Sequence, residues 1–192
     1  MTPQIRTQRL VLRGWHESDK PFYAALCADP DVMRHFPSTL TAEQSNAMVD
    51  AMAARWQYNN FGLWAVERLD STQFIGFVGL AAPSWQASCT PCVEVGWRLG
   101  KSHWGLGFAP EAARAVLRYG FDHVNLPNDE IVSFTTTANP NSRRVMSKIG
   151  MHHDAARDFD HPMTPGWAGQ RHVLYSINRA QWRAAPPAGV AR

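Results

Sequence analysis

Hydrophobic positions along this chain change period several times, and each change marks an element. Ile5 to Arg13 alternates, with Leu10 and Leu12 on one face and Val11 opposite, which predicts a strand. Ser18 then stands as a helix N-cap ahead of Phe22, Ala25 and Leu26 at helical spacing. Asp29-Pro30-Asp31 breaks that helix. Thr41 with Gln44 forms a capping box. Behind it Met48, Val49, Met52, Ala53 and Trp56 recur on one helical face and predict an amphipathic helix.

A run of strands follows. Gly62 to Arg68 and Phe74 to Ala81 are rich in β-formers and flank a polar Asp70-Ser71 turn, so they read as a hairpin. A loop with Pro83 and Pro91 spans Ala82 to Cys92, and Val93 to Leu99 is a further strand. A helix runs from Pro110 to about Phe121, a β-branched strand from Ile131 to Thr137, and a helix from Asn139 to Ile149 that Gly150 stops. Met151 to Asn178 predicts two more strands around a long loop, Asp158 to Gly169, and the Pro-Pro-Ala-Gly stretch after Trp182 predicts a frayed end. No internal repeat, linker or low-complexity block interrupts this order. It predicts one mixed α/β domain over residues 1–185 with a substantially antiparallel sheet, and a flexible C-terminal tail at 186–192.

Composition narrows the class. A chain of 192 residues buries a full core without staples, and 45% hydrophobic with 18% charged residues excludes a disordered chain. Eight tryptophans are more than one small core hides, so several must line a cleft or stay partly exposed, which leaves a homodimer open. A net charge of +3 is too small to argue for nucleic acid. The densest basic cluster, Arg143, Arg144 and Lys148, suits one phosphorylated cofactor as well as a polynucleotide. No run of roughly 18 apolar residues predicts a membrane span, and Met1 to Arg13 lacks a signal-peptide core. Three cysteines in a chain too large to need disulfides point to the reducing cytoplasm.

The most informative stretch is Val93 to Phe121. After the strand ends at Leu99, the loop from Gly100 to Ala109 carries Gly105 and Gly107, and Pro110 and Glu111 open a helix with Pro110 at its first position. Ala109, Ala112, Ala113, Val116, Leu117, Gly120 and Phe121 form its apolar stripe. A glycine-bearing loop that leads into a helix N-terminus is built for an anion. The backbone can approach closely, and first-turn amides and the helix dipole attract a pyrophosphate. A plain tight turn would also use two glycines. A Rossmann fingerprint fails because Pro110 stands where its third glycine belongs, although Asp129 lies at a suitable distance downstream. No Gly-Lys-Ser/Thr closes a Walker A loop.

Trp104-Gly105-Leu106-Gly107-Phe108-Ala109, followed by Glu111-Ala112, resembles the acetyl-CoA pyrophosphate loop of the GNAT N-acetyltransferase superfamily, with Trp104 in place of the usual Gln or Arg. Asn139-Pro140-Asn141-Ser142-Arg143 and the closing Lys148-Ile149-Gly150-Met151 resemble the family's Asn-x-x-Ser helix. Thr7 to Arg13 and Glu94-Val95-Gly96-Trp97 resemble the first and fourth strands of the branch that holds the ribosomal-protein-alanine N-terminal acetyltransferases. The likeness runs from Thr7 to about Trp182.

The resemblance implies a GNAT-like fold, a mixed and largely antiparallel central sheet of about seven strands flanked by helices. It implies transfer of the acetyl group of acetyl-CoA to a primary amine, of a protein N-terminus or a small molecule, by direct attack in a ternary complex. The family splays its fourth and fifth strands, so Val95, Gly96, Trp97, Arg98 and Leu99 are expected to offer backbone groups to the cofactor, one of them as an oxyanion donor, with a bulge at Gly96. Trp104, Gly105, Leu106, Gly107, Phe108 and Ala109 would hold the pyrophosphate.

Asn139 is an N-cap that would also touch pantetheine. Ser142 would assist the departing thiolate or merely satisfy backbone, and Arg143 would contact phosphate or stay a surface arginine. Glu94 is the candidate general base, against the alternative of a cross-strand salt bridge. Two rivals are a CoA-binding regulatory module without turnover and an RNA-associated protein, the second opposed by the missing basic patch.

Cys89-Thr90-Pro91-Cys92 is a CxxC without a second pair. It reads as structural rather than as a redox pair or a zinc site, and no metal is expected. His152, His153, His161 and His172 would matter as ligands only if the fold gathers them, and the Asp158–Gly169 loop is a candidate wall for the acceptor pocket.

Overall fold

The computed structural model describes residues 2–184, so the expected tail at 186–192 lies outside the described residues. The expected first strand divides into β1 (Ile5–Arg6) and β2 (Leu10–Arg13). Thr7 is the reason. Its N–H donates to the Leu10 carbonyl at 2.9 Å, and its Oγ1 accepts from the Leu10 N–H at 3.1 Å. This local turn outcompetes the ladder, and β1 folds back antiparallel on β2.

Ser18 is not the cap of α1 (Lys20–Ala28). A 3-10 turn over Glu17–Asp19 leads into that helix, and Asp19 organises it. The Asp19 carboxylate is only 2% exposed. It accepts from the His16 N–H at 2.8 Å and takes both ends of the Arg13 guanidinium at 2.8 and 2.9 Å. Arg13 also reaches Glu67 at 2.8 Å, so the network ties α1 to the sheet. Asp19→Ala would leave Arg13 half-paired in a buried site. A loss of about 3 kcal/mol in unfolding free energy is expected by urea denaturation.

Asp29 ends α1 and also starts α2 (Pro30–Met33), because its carboxylate accepts from the Asp31 N–H at 2.8 Å. Helix α3 (Ala42–Asn59) begins at the expected capping box, with Thr41 and Gln44 bonded reciprocally at 3.2 and 2.9 Å. Its buried face is Val49, Met52 and Trp56, and Ala53 is exposed.

The hairpin is β3 (Leu63–Arg68) and β4 (Phe74–Ala81), with Ile75 as an extra residue where the register shifts between Val66 and Glu67. Then follow β5 (Glu94–Leu99), α4 (Phe108–His123), β6 (Glu130–Thr136), α5 (Pro140–Lys148), β7 (His152–His153), β8 (Phe159–Asp160), β9 (Arg171–Asn178) and α6 (Arg179–Ala184). The sheet has nine strands in the order β1-β2-β3-β4-β5-β6-β9-β7, with β8 also on β9. Nine replaces the expected seven because the first expected strand divides into β1 and β2 and the two expected late strands become β7, β8 and β9. Every pairing is antiparallel except β5 with β6.

The two larger cores sit on opposite faces. Ala112, Ala113, Val116, Leu117 and Phe121 of α4 pack on Leu80, Val95, Ile131 and Ile177. Tyr23, Leu26 and Cys27 of α1 pack with Val49 and Met52 of α3 on Phe77. Alternation along β5 therefore sends Val95 to the α4 face and Glu94 and Arg98 to the α1 face.

Candidate active site

The parallel strands β5 and β6 meet at one register pair, Glu94 opposite Val132, and pair nowhere beyond it. The Val132 N–H donates to the Val93 carbonyl at 2.9 Å, while the Gly100 N–H turns the other way to Ile75 of β4 at 2.9 Å. Backbone direction alternates along a strand. Gly96 and Arg98 therefore point their backbone groups into the β4 ladder, and Trp97 and Leu99 point theirs into the gap that opens toward β6. No bulge lies at Gly96, since the β4–β5 register runs unbroken from Gly76–Leu99 to Ala81–Glu94. The irregularity sits instead at Ile75 of β4.

The loop after β5 closes one end of this gap. Trp104 is 37% exposed, and its indole N–H donates to the Leu99 carbonyl at 2.8 Å, which fastens the loop to the strand edge. Gly105 and Gly107 hold φ of +76° and +82°, the left-handed region that favours glycine. Gly107, not Ala109, caps α4, so Phe108 is the first helical residue and Pro110 the third. The amides of Gly105, Leu106, Gly107, Phe108 and Ala109 donate to no backbone carbonyl among the described residues. Consecutive unpaired amides at a helix N-terminus form an anion cradle.

Two residues far away in sequence brace this cradle. Arg9 donates from Nη1 to the Leu106 carbonyl at 2.9 Å and pairs with Glu111 at 2.6 Å. Glu111 also accepts from Thr7 Oγ1 at 2.7 Å and from the Arg9 N–H at 2.8 Å. Burial raises the Glu111 carboxyl, but these bonds from Thr7 and Arg9 outweigh it and hold the group below its ordinary range. The Arg9 guanidinium lies 4.7 Å over the Phe108 ring.

Helix α5 points its N-terminus from the β6 side. The Asn139 side chain caps it, Oδ1 accepting from the Ser142 N–H at 3.1 Å. Nδ2 donates to Thr135 Oγ1 at 3.0 Å and to Ser142 Oγ at 3.1 Å. The Ser142 oxygen is thus an acceptor, and its own hydroxyl proton is uncommitted among the described residues. Arg143 donates from Nε to the Tyr175 hydroxyl at 3.4 Å, which draws a half-buried guanidinium toward β9.

On the opposite face, Glu94 stands in the wall of a pocket of about 210 Å³ lined also by Arg55, Ser84, Trp85, Phe134 and His161. The residue is half-buried and makes no salt bridge among the described residues. Desolvation by burial pushes its carboxyl up to about 8. A Cβ at Gly96 would lie 3.7 Å from Glu94 Oε1, so the glycine leaves the carboxyl free on that side. His161, from the long late loop, is lowered to about 4 by burial and by the neighbouring His172, with ring centroids 4.9 Å apart. A larger cavity of about 620 Å³, between α1 and the end of β5, is lined by Phe22, Leu26, Phe74 and His103 and contains none of the predicted site residues.

Comparison with known proteins gives the family. The model of the acetyltransferase (GNAT) domain matches residues 9–152. The chain belongs to the GNAT acetyltransferases. The uncharacterized N-acetyltransferase YoaA of Bacillus subtilis is 31% identical over 152 residues, 78% of this chain and 83% of its own. An acetyltransferase from Agrobacterium tumefaciens superposes with a TM-score of 0.74 at 25% identity, covering 93% of this chain and 96% of its own. RimJ of Mycobacterium smegmatis, solved with CoA-disulfide, has a TM-score of 0.73 at 16% identity, covering 93% and 88%; that likeness is one of fold.

As a GNAT acetyltransferase the chain uses acetyl-CoA, and its residues fit that group. Five consecutive unpaired amides lead into a helix N-terminus, and a Cβ at Gly107 would lie 3.3 Å from Arg9 Nη2. Next to the cradle, the open edge of β5 offers amides to an amide-bearing chain.

Sequence reasoning missed Arg9 and Glu111 as braces of the loop, and Arg55, Trp85 and Phe134 as pocket walls, whereas the Asp158–Gly169 loop does reach the pocket beside Glu94 through His161. A pairing across 102 residues leaves no local signal. Cys89 and Cys92 pack with Val132, Phe159 and Leu174, and burial, the leading cause, pushes the Cys92 thiol up to about 12. Both are buried free thiols, and no group of three or more metal-ligating side chains forms among the described residues.

Proposed function

We propose that this acetyltransferase moves the acetyl group to a primary amine by direct attack in a ternary complex. The observation that carries the reading is Glu94. It is an unpaired, desolvated carboxyl on the face of β5 opposite α4, beside a pocket, next to the strand gap that leads to the amide cradle. When bound, acetyl-CoA supplies an acetyl group activated as a thioester. The amides of Gly105 to Ala109 hold the pyrophosphate, with Trp104 fixing the loop and Arg143 offering its remaining N–H groups to phosphate. The edge groups of Trp97 and Leu99 align the pantetheine arm, with Val95, Gly96 and Arg98 keeping the strand in register.

Glu94, poised near neutrality, takes a proton from the acceptor ammonium and frees the lone pair for attack. The Trp97 N–H faces the charge that develops on the carbonyl oxygen. A C–N bond forms and the C–S bond breaks. Ser142 Oγ–H, oriented by Asn139, hydrogen-bonds the departing sulfur, which leaves as the thiol with the second amine proton, and the first passes from Glu94 to solvent. The likeness of Thr7 to Arg13 and Trp104 to the ribosomal-protein branch supports a protein N-terminal amine as one acceptor class, and the small pocket supports a small-molecule amine as the other.

Initial velocities measured with acetyl-CoA and a primary amine varied together test this. Intersecting double-reciprocal lines are expected. Parallel lines would mean an acetylated enzyme, and acetyl-CoA binding without amine-dependent thiol release would mean a regulatory module.

A further inference from the structure

The Glu94 pocket carries a second ionic group that the transfer chemistry leaves unused. Arg55, near the C-terminal end of α3, lines the same cavity. It makes no salt bridge among the described residues. Glu94 is the single carboxylate among the lining residues, and Trp85 and Phe134 supply flat apolar walls with ring centroids 5.6 Å apart. His161 adds no charge at neutral pH. Its Nδ1 accepts from the Met163 N–H at 3.3 Å, so the neutral ring carries its proton on Nε2.

We infer that the acceptor is a small amine that also carries a carboxylate, an amino acid in chemical class, with Arg55 holding the carboxylate and Glu94 facing the amine. The inference rests on the acetyl-transfer reading above and narrows it. A guanidinium is a planar fork that matches a carboxylate with two parallel hydrogen bonds. A polyamine brings no anion for that fork. Its second ammonium would enter a pocket that has an arginine and no second carboxylate. A cavity of about 210 Å³ equals the liquid share of about seven water molecules, each about 30 Å³. It therefore admits an amine with a compact body rather than several residues of a peptide. A peptide N-terminus also places an amide where an amino acid places its carboxylate, and leaves Arg55 unpaired.

The test is thiol release from acetyl-CoA with three amines of one shape: phenylalanine, phenylalaninamide and phenethylamine, with spermidine beside them. The carboxamide lowers the amine's own pKa, so free-base chemistry alone would favour the amide. Phenylalanine is nevertheless expected to exceed the amide in kcat/KM by about tenfold, the scale of one charge-assisted pair near the surface. Arg55→Gln should raise KM for phenylalanine more than it lowers kcat and erase the preference over the amide, with acetyl-CoA binding by calorimetry unchanged.

Equal or better turnover of the amide, the decarboxylated amine or spermidine by the native chain would overturn the inference. So would a preference that survives in the Arg55→Gln chain. Acetyl-CoA binding with no turnover of any of the four would also overturn it while leaving the cofactor site standing. Failure to bind acetyl-CoA would instead strike the acetyl-transfer reading itself.

Discussion

Gly107→Asp is expected to abolish acetyl-CoA binding, with a loss of affinity of a hundredfold or more by isothermal titration calorimetry. Aspartate tolerates the left-handed backbone better than most residues, so the +82° φ at this position does not by itself forbid the fold. The new side chain would start 3.3 Å from Arg9 Nη2, where Gly107 now has none. Its carboxylate would pair with Arg9 and sit at the mouth of the five unpaired amides, filling the cradle with an internal anion. A like charge about 5 Å from a pyrophosphate opposes binding by roughly 3 kcal/mol at an effective dielectric near 20, which is more than a hundredfold. An unchanged Tm for the variant would locate the effect in the cradle. Tight binding by the variant would mean that the pyrophosphate lies elsewhere, and no binding by the native chain would remove the loop from consideration.

The second large effect is expected at Glu94. Glu94→Gln keeps the size and most of the hydrogen-bonding capacity of the side chain but cannot accept a proton from an ammonium. A fall in kcat of about a hundredfold to a thousandfold is expected, the usual scale for losing a general base. The pH profile carries the sharper signature. Burial holds the carboxyl in its protonated form up to about 8, and only the deprotonated form serves as base. In the native enzyme kcat/KM should therefore rise through about pH 8 and above it follow only the acceptor's own titration. In Glu94→Gln that limb should vanish, so that the only remaining titration is the acceptor's own. A limb that survives unchanged in the variant would assign the base to water or to another group.

The legible part of this molecule was whatever the chain writes locally. The capping box of Thr41 and Gln44, the hairpin of β3 and β4 and the glycine loop before α4 each rest on residues a few positions apart. They were readable for that reason. Asn139 was readable as a cap on the same basis, and the cap also orients the Ser142 hydroxyl.

What could not be read was competition between neighbours and convergence at distance. Thr7 broke a strand whose alternation looked sound, and Asp19 displaced Ser18 because the half-buried Arg13 needed its carboxylate more than the helix needed a cap. Pro110 fell two places into α4 because Gly107 had already turned the backbone. The bulge expected at Gly96 appeared at Ile75, one strand over. The pocket beside Glu94 draws on α3, the loop after β4, β5, β6 and the late loop. No window of the sequence contains it.

The single pair that joins β5 to β6 has a consequence for how the whole molecule coheres. Counted by lateral hydrogen bonds, the nine strands are two half-sheets pinned at Glu94 and Val132, with a wedge missing between them. A ligand that threads this wedge and bonds to the exposed edge does for the seam what a strand would have done. A protein completed in that way by a metabolite it does not keep would gain and lose rigidity along that line with each turnover.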